Sequence, residues 1–277
     1  MGLRISTNVT SLNAIRQLAM TRTNLDKALE RLSSGSRINH SGDDAAGLAI
    51  SENLRAQIKS LRQARRNAQD GISLIQVSEG GLTEIGNMLI RLRELAIQAA
   101  SDTNGPVERS FSDREYQLLK QEIDRIANST NFNGTALLNG HAGIFEIQVG
   151  SHNDAIIDRV IYDASISDAT LQNLSLSSEG VSTKEGAQHS IGMVDNALIK
   201  INGIRADLGA IQNRLMSTIN NISMTEESIS SANSRIKDAD IAEESSELTK
   251  QNILMQAGVS VLSQANSANH NALKLLS

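Results

Sequence analysis

The stretch from residue 45 to residue 100 carries small or apolar residues at intervals of three or four. They are Leu54, Ile58, Leu61, Ala64, Ala68, Ile72, Ile75, Leu82, Ile85, Leu89, Leu92, Ala96 and Ala99. This spacing puts them on one face of an α-helix and does not fit a strand. At 1.5 Å per residue the helix would be roughly 80 Å long, more than the width of a compact domain. The sequence therefore predicts a very long helix whose apolar face needs a partner along its whole length.

The composition of the chain favours helix packing. The 277 residues include one Pro, no Trp and no Cys, and only 2% are aromatic. With almost no proline the helices can run uninterrupted, and a core of Ala, Leu and Ile suits closely packed helices. The absence of Cys excludes disulfides, thiol nucleophiles and cysteine-based metal sites. We therefore expect a mainly α fold, a long antiparallel coiled-coil-like bundle.

A second long apolar stripe follows in the C-terminal half. It comprises Ile191, Val194, Leu198, Ile201, Ile204, Leu208, Ile211, Leu215, Ile219, Ile222, Ile229, Ala232 and Ile236. Its length matches that of the first stripe, so the two helices can cover each other by running antiparallel. Residues 101–110, which include Pro106, predict a turn, and residues 111–128 predict a third helix.

A small β element is predicted between these helices. Apolar and polar residues alternate over 144–149 and again over 156–162, which indicates a β-hairpin with a five-residue loop at 150–154. Segment 129–140 is rich in Asn, Gly, Ser and Thr and is predicted to be an ordered loop. Segment 163–183 is rich in Ser, Asp and Gly and is predicted to be a loop or weak structure.

Residues 33–44 are predicted to form a connector between two helices. Gly35 suits the left-handed conformation that ends a helix. Ser41 or Asp43 can accept a hydrogen bond from the first amides of the long helix, and Asp44 puts negative charge at its positive dipole end. Two carboxylates beside His40 could instead suggest metal binding or acid–base chemistry. Capping is favoured because no second ligand cluster accompanies them.

The two ends of the chain carry narrower apolar patterns. Residues 3–32 have a helical stripe, Ile5, Val9, Leu12, Ile15, Leu18, Leu25, Leu29 and Leu32. The last segment has a seven-residue repeat, Ile241, Leu248, Met255, Leu262, Asn269 and Leu276. A strict repeat of seven is typical of coiled coils. We expect the two ends to pack on each other, and to become ordered only when assembly covers their stripes.

The sequence gives little support for a metal site, a nucleic-acid-binding site or a membrane span. The five His residues lie in separate predicted elements without metal-binding spacing, so no metal, cofactor or catalytic group is predicted. Arg62, Arg65 and Arg66 could suggest nucleic acid, but the net charge is −5 and aromatic residues are scarce, which favours a solvated helix face. The sequence contains no run of 18 apolar residues, so no membrane span is predicted.

Several segments resemble bacterial flagellin. LSSGSRINHSGDDAAGLAISE, RNAQDGISLIQ, EGGLTEI and RLRELAIQAA are similar to its N-terminal half, and SRIKDAD, ILMQAG and LSQAN to its C-terminus, although the proline common near that end is absent. The resemblance implies a non-enzymatic subunit that polymerises into the flagellar filament for swimming motility. Only about 45 residues separate NFNG from the returning helix, which implies a short form without large variable outer domains. A chemoreceptor-like signalling coiled coil is the alternative, and the predicted β-hairpin argues against it.

The resemblance also implies that different parts of the chain form different layers of the filament. Residues 1–40 and 240–277 would form an inner filament layer, and residues 41–239 an outer helical bundle with the hairpin. The polymerisation residues would be Ile5, Leu12, Leu18, Leu25, Leu248, Met255, Leu262 and Leu276.

Partners and location follow from the resemblance as well. The expected partners are further copies of the chain, the flagellar export apparatus, an export chaperone, and the filament cap and hook-junction proteins. The location would be extracellular, reached without a cleaved signal peptide, since the first 20 residues contain no continuous apolar core. RLRELAIQ resembles the segment that an animal Toll-like receptor reads, which implies a receptor face formed by Arg91, Leu95 and Glu115.

Overall fold

A computed structural model describes the backbone of residues 7–274 and the side chains of residues 7–267. Within this range the fold is mainly α, as predicted. The elements in chain order are α1 (Val9–Ser34), α2 (Ala45–Ala100), α3 (Pro106–Ser129), β1 (Asn131–Phe132), β2 (Thr135–Ala136), β3 (Ile144–Gln148), β4 (Arg159–Asp163), α4 (Lys184–Lys237) and α5 (Ile241–Lys274). None of the helices in the described part of the chain is long and apolar enough to cross a membrane.

The chain divides into two compact units. Unit 1 contains both ends, Met1–Ala56 and Ser228–Ser277, and unit 2 contains Gln57–Glu227. The two long helices, α2 and α4, contribute residues to both units.

The core of unit 2 is a coiled coil. A stripe with two positions in every seven is buried along α2: Leu61, Ala64, Ala68, Gly71, Ile75, Ser78, Leu82, Ile85, Leu89, Leu92, Ala96 and Ala99. Leu74 and Leu95, which flank this stripe, are buried as well. The buried positions of α4 in this unit follow the same spacing: Ala187, Ser190, Val194, Ala197, Ile201, Ile204, Leu208, Leu215 and Ile222. A repeat averaging 3.5 residues keeps one stripe facing its partner over many turns. The predicted bundle of long helices is confirmed.

Ion pairs show the direction of the helices in unit 2. Arg93 Nε lies 2.6 Å from Asp195 Oδ1, and Arg62 Nε lies 2.6 Å from Glu226 Oε1. Partner numbers on α4 rise as those on α2 fall, so the two helices are antiparallel. Pro106 begins α3, five residues before the predicted start. Proline suits that position because its fixed φ is helical and the N–H it lacks would have no intrahelical partner.

The predicted β-hairpin is present, but its loop is longer than expected. The register runs from Ile144 opposite Asp163 to Gln148 opposite Arg159. Residues 149–158 form the loop, instead of the five predicted. The chain folds on itself there, since Asp158 N donates to Asp154 O at 3.0 Å. The hairpin lies on α2, where Asn67 Nδ2 donates to Gln148 O at 3.0 Å.

The two predicted loops contain a short hairpin and a partly buried segment. Strands β1 and β2 form a tight hairpin with positive φ at Asn133 (50°) and Gly134 (82°), as a type I′ turn requires. The irregular segment 163–183 buries Leu174, Leu176 and Val181.

A buried lysine fastens the segment 163–183 to α3. Lys120 is only 4% exposed, and its Nζ donates to Ser177 O at 3.1 Å and to Glu179 O at 2.7 Å. Burial lowers the pKa of Lys120, while the charge of Glu179 opposes the change. The carbonyl groups satisfy the ammonium protons that burial removes from water.

The connector before α2 shows which residue caps the start of that helix. Gly35 ends α1 at φ +67° and donates its N–H to Arg31 O at 2.9 Å, as predicted. The N-cap of α2 is Asp44, whose Oδ1 accepts from Gly47 N at 2.8 Å. Asp43 and Ser41 lie in the preceding turn and do not cap the helix.

The Asp43 carboxylate instead closes that turn. It accepts from His40 N at 3.1 Å and from Asn39 N at 3.2 Å, and these bonds lower its pKa. Because the turn brings Asp44 directly before Ala45, only Asp44 is in position to cap. Both carboxylates are therefore occupied by backbone amides, which is the structural role favoured from the sequence.

Candidate polymerisation interface

Helices α1 and α5 of unit 1 pack against each other in opposite directions, as their stripes predict. Asn8 Nδ2, at the start of α1, donates to Ala265 O at 3.0 Å. Near the other end of α1, Arg31 Nη1 lies 3.0 Å from Glu244 Oε1. The described parts of the two chain ends thus form an antiparallel helix pair.

The less exposed positions of this pair again occur twice in every seven residues. On α1 they are Ser11, Ala14, Leu18, Thr21, Leu25, Ala28 and Leu32, and on α5 they are Glu244, Leu248, Gln251, Met255, Gly258, Leu262 and Ala265. Five of the predicted polymerisation residues, Leu18, Leu25, Leu248, Met255 and Leu262, belong to this set and are half-buried. Their apolar surface is therefore partly used inside one chain.

Gly258 lets the two helices approach closely. A Cβ added there would lie 3.2 Å from Leu18 Cγ, tighter than an ordinary side-chain contact. Leu18 would have to move to accept a larger residue. Close packing at this point explains a glycine inside a helix, where it costs up to about 1 kcal/mol relative to Ala.

Leu12, another predicted polymerisation residue, does not belong to the contact. Leu12 is 54% exposed, because it follows Ser11 by one residue and a helix turns about 100° per residue. The interpretation of residues 3–32 as one stripe was wrong in this respect. Ile5 and Leu276 lie outside the described side chains.

Both helices also keep a set of large apolar side chains about half exposed. On α1 these are Val9, Leu12, Ile15, Met20 and Leu29, and on α5 they are Ile241, Ile253, Leu254, Val259 and Val261. Apolar surface of this extent is typical of a protein–protein interface. The sequence does contain a signal for this exposed apolar surface, because both segments have more apolar residues than the contact between two helices can bury.

Polar anchors of the helix pair were missed in the sequence. Asn8 caps α1 by accepting from Ser11 N at 3.1 Å, and Ser11 Oγ donates to Asn266 Oδ1 at 2.9 Å. Glu244 is only 9% exposed and is paired with Arg31, as a buried carboxylate requires. Only the Asn8 cap has a local signal, an Asn directly before an apolar helical stripe.

The suggested receptor face is only partly on the surface. Arg91 Nε donates to Glu115 Oε1 at 2.9 Å, and Arg91 Nη1 donates to Glu94 Oε2 at 2.8 Å. These hydrogen bonds, that to Glu115 first, raise the pKa of Arg91. Leu95 is 2% exposed and belongs to the core of unit 2, so it is not available as a surface contact.

Among residues 7–267, no group of three or more His, Asp or Glu side chains could hold a metal ion. His40 Nε2 instead lies 2.8 Å from Glu30 Oε1, and His189 Nδ1 lies 3.0 Å from Glu179 Oε2. Each of these histidines pairs with one carboxylate, and both imidazole rings stay largely exposed. The arrangement offers extended helical surfaces rather than a reactive centre.

Comparison with known proteins agrees with this architecture. Residues 5–142 match the bacterial flagellin N-terminal helical region, and residues 191–276 match the bacterial flagellin C-terminal helical region. The chain is 42% identical to a flagellin of Halalkalibacterium halodurans over 98% of this chain and 99% of that protein. It is 38% identical to a flagellin of Bacillus subtilis over 99% of this chain and 100% of that protein.

Solved structures give the same result. The crystal structure of Bacillus cereus flagellin is 36% identical, with a TM-score of 0.50, over 57% of this chain and 88% of that one. Long paired helices, matches at both ends and high coverage of the relatives lead to one conclusion. The chain belongs to the bacterial flagellin family, whose members are not enzymes but structural subunits of the extracellular flagellar filament.

Proposed function

We propose that the chain polymerises through its paired terminal helices, which form the inner layer of the filament, while residues 41–239 form the outer layer. The observation that carries this proposal is the exposed apolar surface on both α1 and α5. Burying apolar surface contributes roughly 25 cal/mol per Å², so repetition in every subunit favours a polymer. Leu18, Leu25, Leu248, Met255 and Leu262 would hold the pair together. Leu12 would face neighbouring copies.

Polymerisation of the purified chain can be tested directly. Ammonium sulfate strengthens apolar association, so its addition should convert the soluble chain into filaments visible by negative-stain electron microscopy. Sedimentation would give the polymerised fraction. Amorphous precipitate or unchanged monomer, at concentrations where a flagellin of a relative assembles, would count against polymerisation.

We also propose that the exposed faces of α1 and α5 require cover before assembly. An export chaperone would supply that cover, and the flagellar export apparatus would then deliver the chain to the outside without a cleaved signal peptide. The filament cap and hook-junction proteins would contact the same helices at the two ends of the polymer. Intact-mass measurement of shed filaments checks the route: loss of an N-terminal segment longer than the initiator Met would contradict it.

A second proposed role is recognition by an animal Toll-like receptor. Its support here is the half-exposed Arg91 guanidinium held by Glu94 and Glu115, since a planar, ordered Arg is a common hot spot. Arg91→Ala should reduce receptor signalling by the monomer without changing its melting temperature. Leu95→Ala cannot serve as a second test, because removing a core side chain would destabilise the bundle. Unchanged signalling by Arg91→Ala would reject the role.

A further inference from the structure

The loop between β3 and β4 exposes two adjacent isoleucines. Among the described residues, Ile156 and Ile157 are the most exposed large apolar side chains, at 85% and 78%. A pair of β-branched apolar side chains kept in water is unfavourable unless a partner covers it. We call residues 154–158 the knob.

Hydrogen bonds hold the knob in one shape. The Asp154 carboxylate accepts from Ile156 N at 2.8 Å and from Ile157 N at 3.1 Å. Asp154 N in turn donates to Asp158 Oδ2 at 3.1 Å, and Asp158 is only 6% exposed. Both carboxylates are therefore used inside the loop, and the knob presents preorganised apolar surface. Preorganisation reduces the entropy lost on binding.

A recess in the same unit has a matching character. A cavity of about 290 Å³ lies between β4, the residues that follow it, and α4. Its lining is mostly apolar, with Tyr162, Ile204, Leu208 and Ile211, and the exposed Ile166 also lines it. Asp163 and Asp207 contribute polar atoms to the same lining. The cavity is far larger than the space that one water molecule needs, so it has room for an aliphatic side chain.

The knob and the recess lie at opposite ends of one hairpin. The knob ends at Asp158, directly before β4, whereas the recess is lined from Tyr162 onward, so four residues of extended strand, about 13 Å at roughly 3.3 Å per residue, separate them. The knob therefore cannot enter the recess of its own chain. A contact between two different patches of identical chains is heterologous, and such contacts continue from copy to copy instead of closing a dimer.

We propose that the knob of one copy inserts into the recess of a neighbouring copy in the polymer. This inference rests on the proposed polymerisation and names a contact within it. Two side chains bury far less than the roughly 1,000 Å² of a stable interface, so the contact cannot hold two free chains together. A second copy of this chain fits, because a polymer supplies the remaining interface through other surfaces.

Cysteine pairing tests the contact, since the natural chain contains no Cys. Ile156→Cys and Ile166→Cys would be made in separate chains, mixed, polymerised and oxidised. A disulfide requires Cα atoms within about 7 Å, so a covalent dimer should form in filaments and not in the unpolymerised mixture. Ile156→Cys mixed with Phe111→Cys is the matched control, because Phe111 is 63% exposed on α3. The control mixture should give at least tenfold less dimer.

A double substitution provides an independent readout. Ile156→Ser combined with Ile157→Ser should raise the critical concentration for assembly at least tenfold while leaving the melting temperature of the monomer unchanged. An unaltered critical concentration, or cross-linking no greater than in the Phe111 control, would overturn the knob contact while filaments still form. If the unsubstituted chain forms no filaments, the proposed polymerisation fails and this contact fails with it.

Discussion

Placing a charge on the exposed apolar face of α5 should block polymerisation without unfolding the chain. Ile253 is suited to this test because it is 61% exposed on the helix pair. Leu262 is less suited, since it is half-buried and a charge there would also disturb α1 within one chain. The substitution is Ile253→Asp, with Ile253→Val as the apolar control.

The expected effect has two parts. Full burial of an Ile side chain contributes about 1.5 to 3 kcal/mol, so its exposed portion accounts for about 1 to 2 kcal/mol on assembly. An unpaired carboxylate buried in the interface costs several kcal/mol more. A total of about 4 kcal/mol would raise the critical concentration for assembly about a thousandfold. In the monomer, a surface substitution of this kind changes stability by about 0.5 kcal/mol or less.

Thermal unfolding and filament yield would be measured for each variant. Leu215→Ala provides the opposite control, because Leu215 is fully buried in unit 2 and its truncation should cost about 2 to 5 kcal/mol. Ile253→Asp should melt like the parent and form no filaments, whereas Leu215→Ala should melt several degrees earlier. Normal assembly of Ile253→Asp, or a fall in its melting temperature as large as that of Leu215→Ala, would refute the reasoning.

Further predictions concern the cap, the helix contact, the knob and the terminal helices. Asp44→Ala should destabilise the chain by about 0.5 to 2 kcal/mol in thermal unfolding, and Asp44→Asn should recover most of the loss, because both Asp and Asn can cap. Gly258→Leu should reduce filament yield more than Gly258→Ala does, since Leu18 must move only a few tenths of an ångström for a Cβ but farther for the larger side chain. Backbone hydrogen bonds from Ile156 and Ile157 lower the pKa of Asp154. They therefore stabilise the knob at pH values above the ordinary pKa of an aspartate, and this stabilisation is lost as the pH falls through the lower pKa of the folded chain. A carboxyl NMR titration should give Asp154 a pKa below that of an ordinary aspartate, and a pKa at or above the ordinary value would contradict this prediction. Amide exchange in the free chain should be faster in α1 and α5 than in the part of α2 within unit 2, and equal rates would contradict folding on assembly.

Much of the fold follows from local features of the sequence. The bounds of α2, Ala45–Ala100, are those predicted, because an unbroken apolar repeat without proline admits a helix and little else. The antiparallel partner α4 and the β3–β4 hairpin can be predicted in the same way. Apolar residues recur about every 3.5 residues in the helix and every 2 residues in the strands, and this spacing indicates which side of each element is buried. Gly35 could be placed because only glycine adopts positive φ without strain.

Only the tertiary structure decided what each apolar residue contacts. Leu12 and Leu18 look equivalent in the sequence, yet the position of α5 half-buries Leu18 and leaves Leu12 exposed. Leu95 could be a surface contact or a core residue until the neighbouring elements are placed, and they bury it. The path of residues 163–183 is likewise fixed by Lys120, far away in the chain. The spacing of apolar residues shows which face of a helix or strand is apolar. Whether that face is buried depends on elements that are distant in sequence.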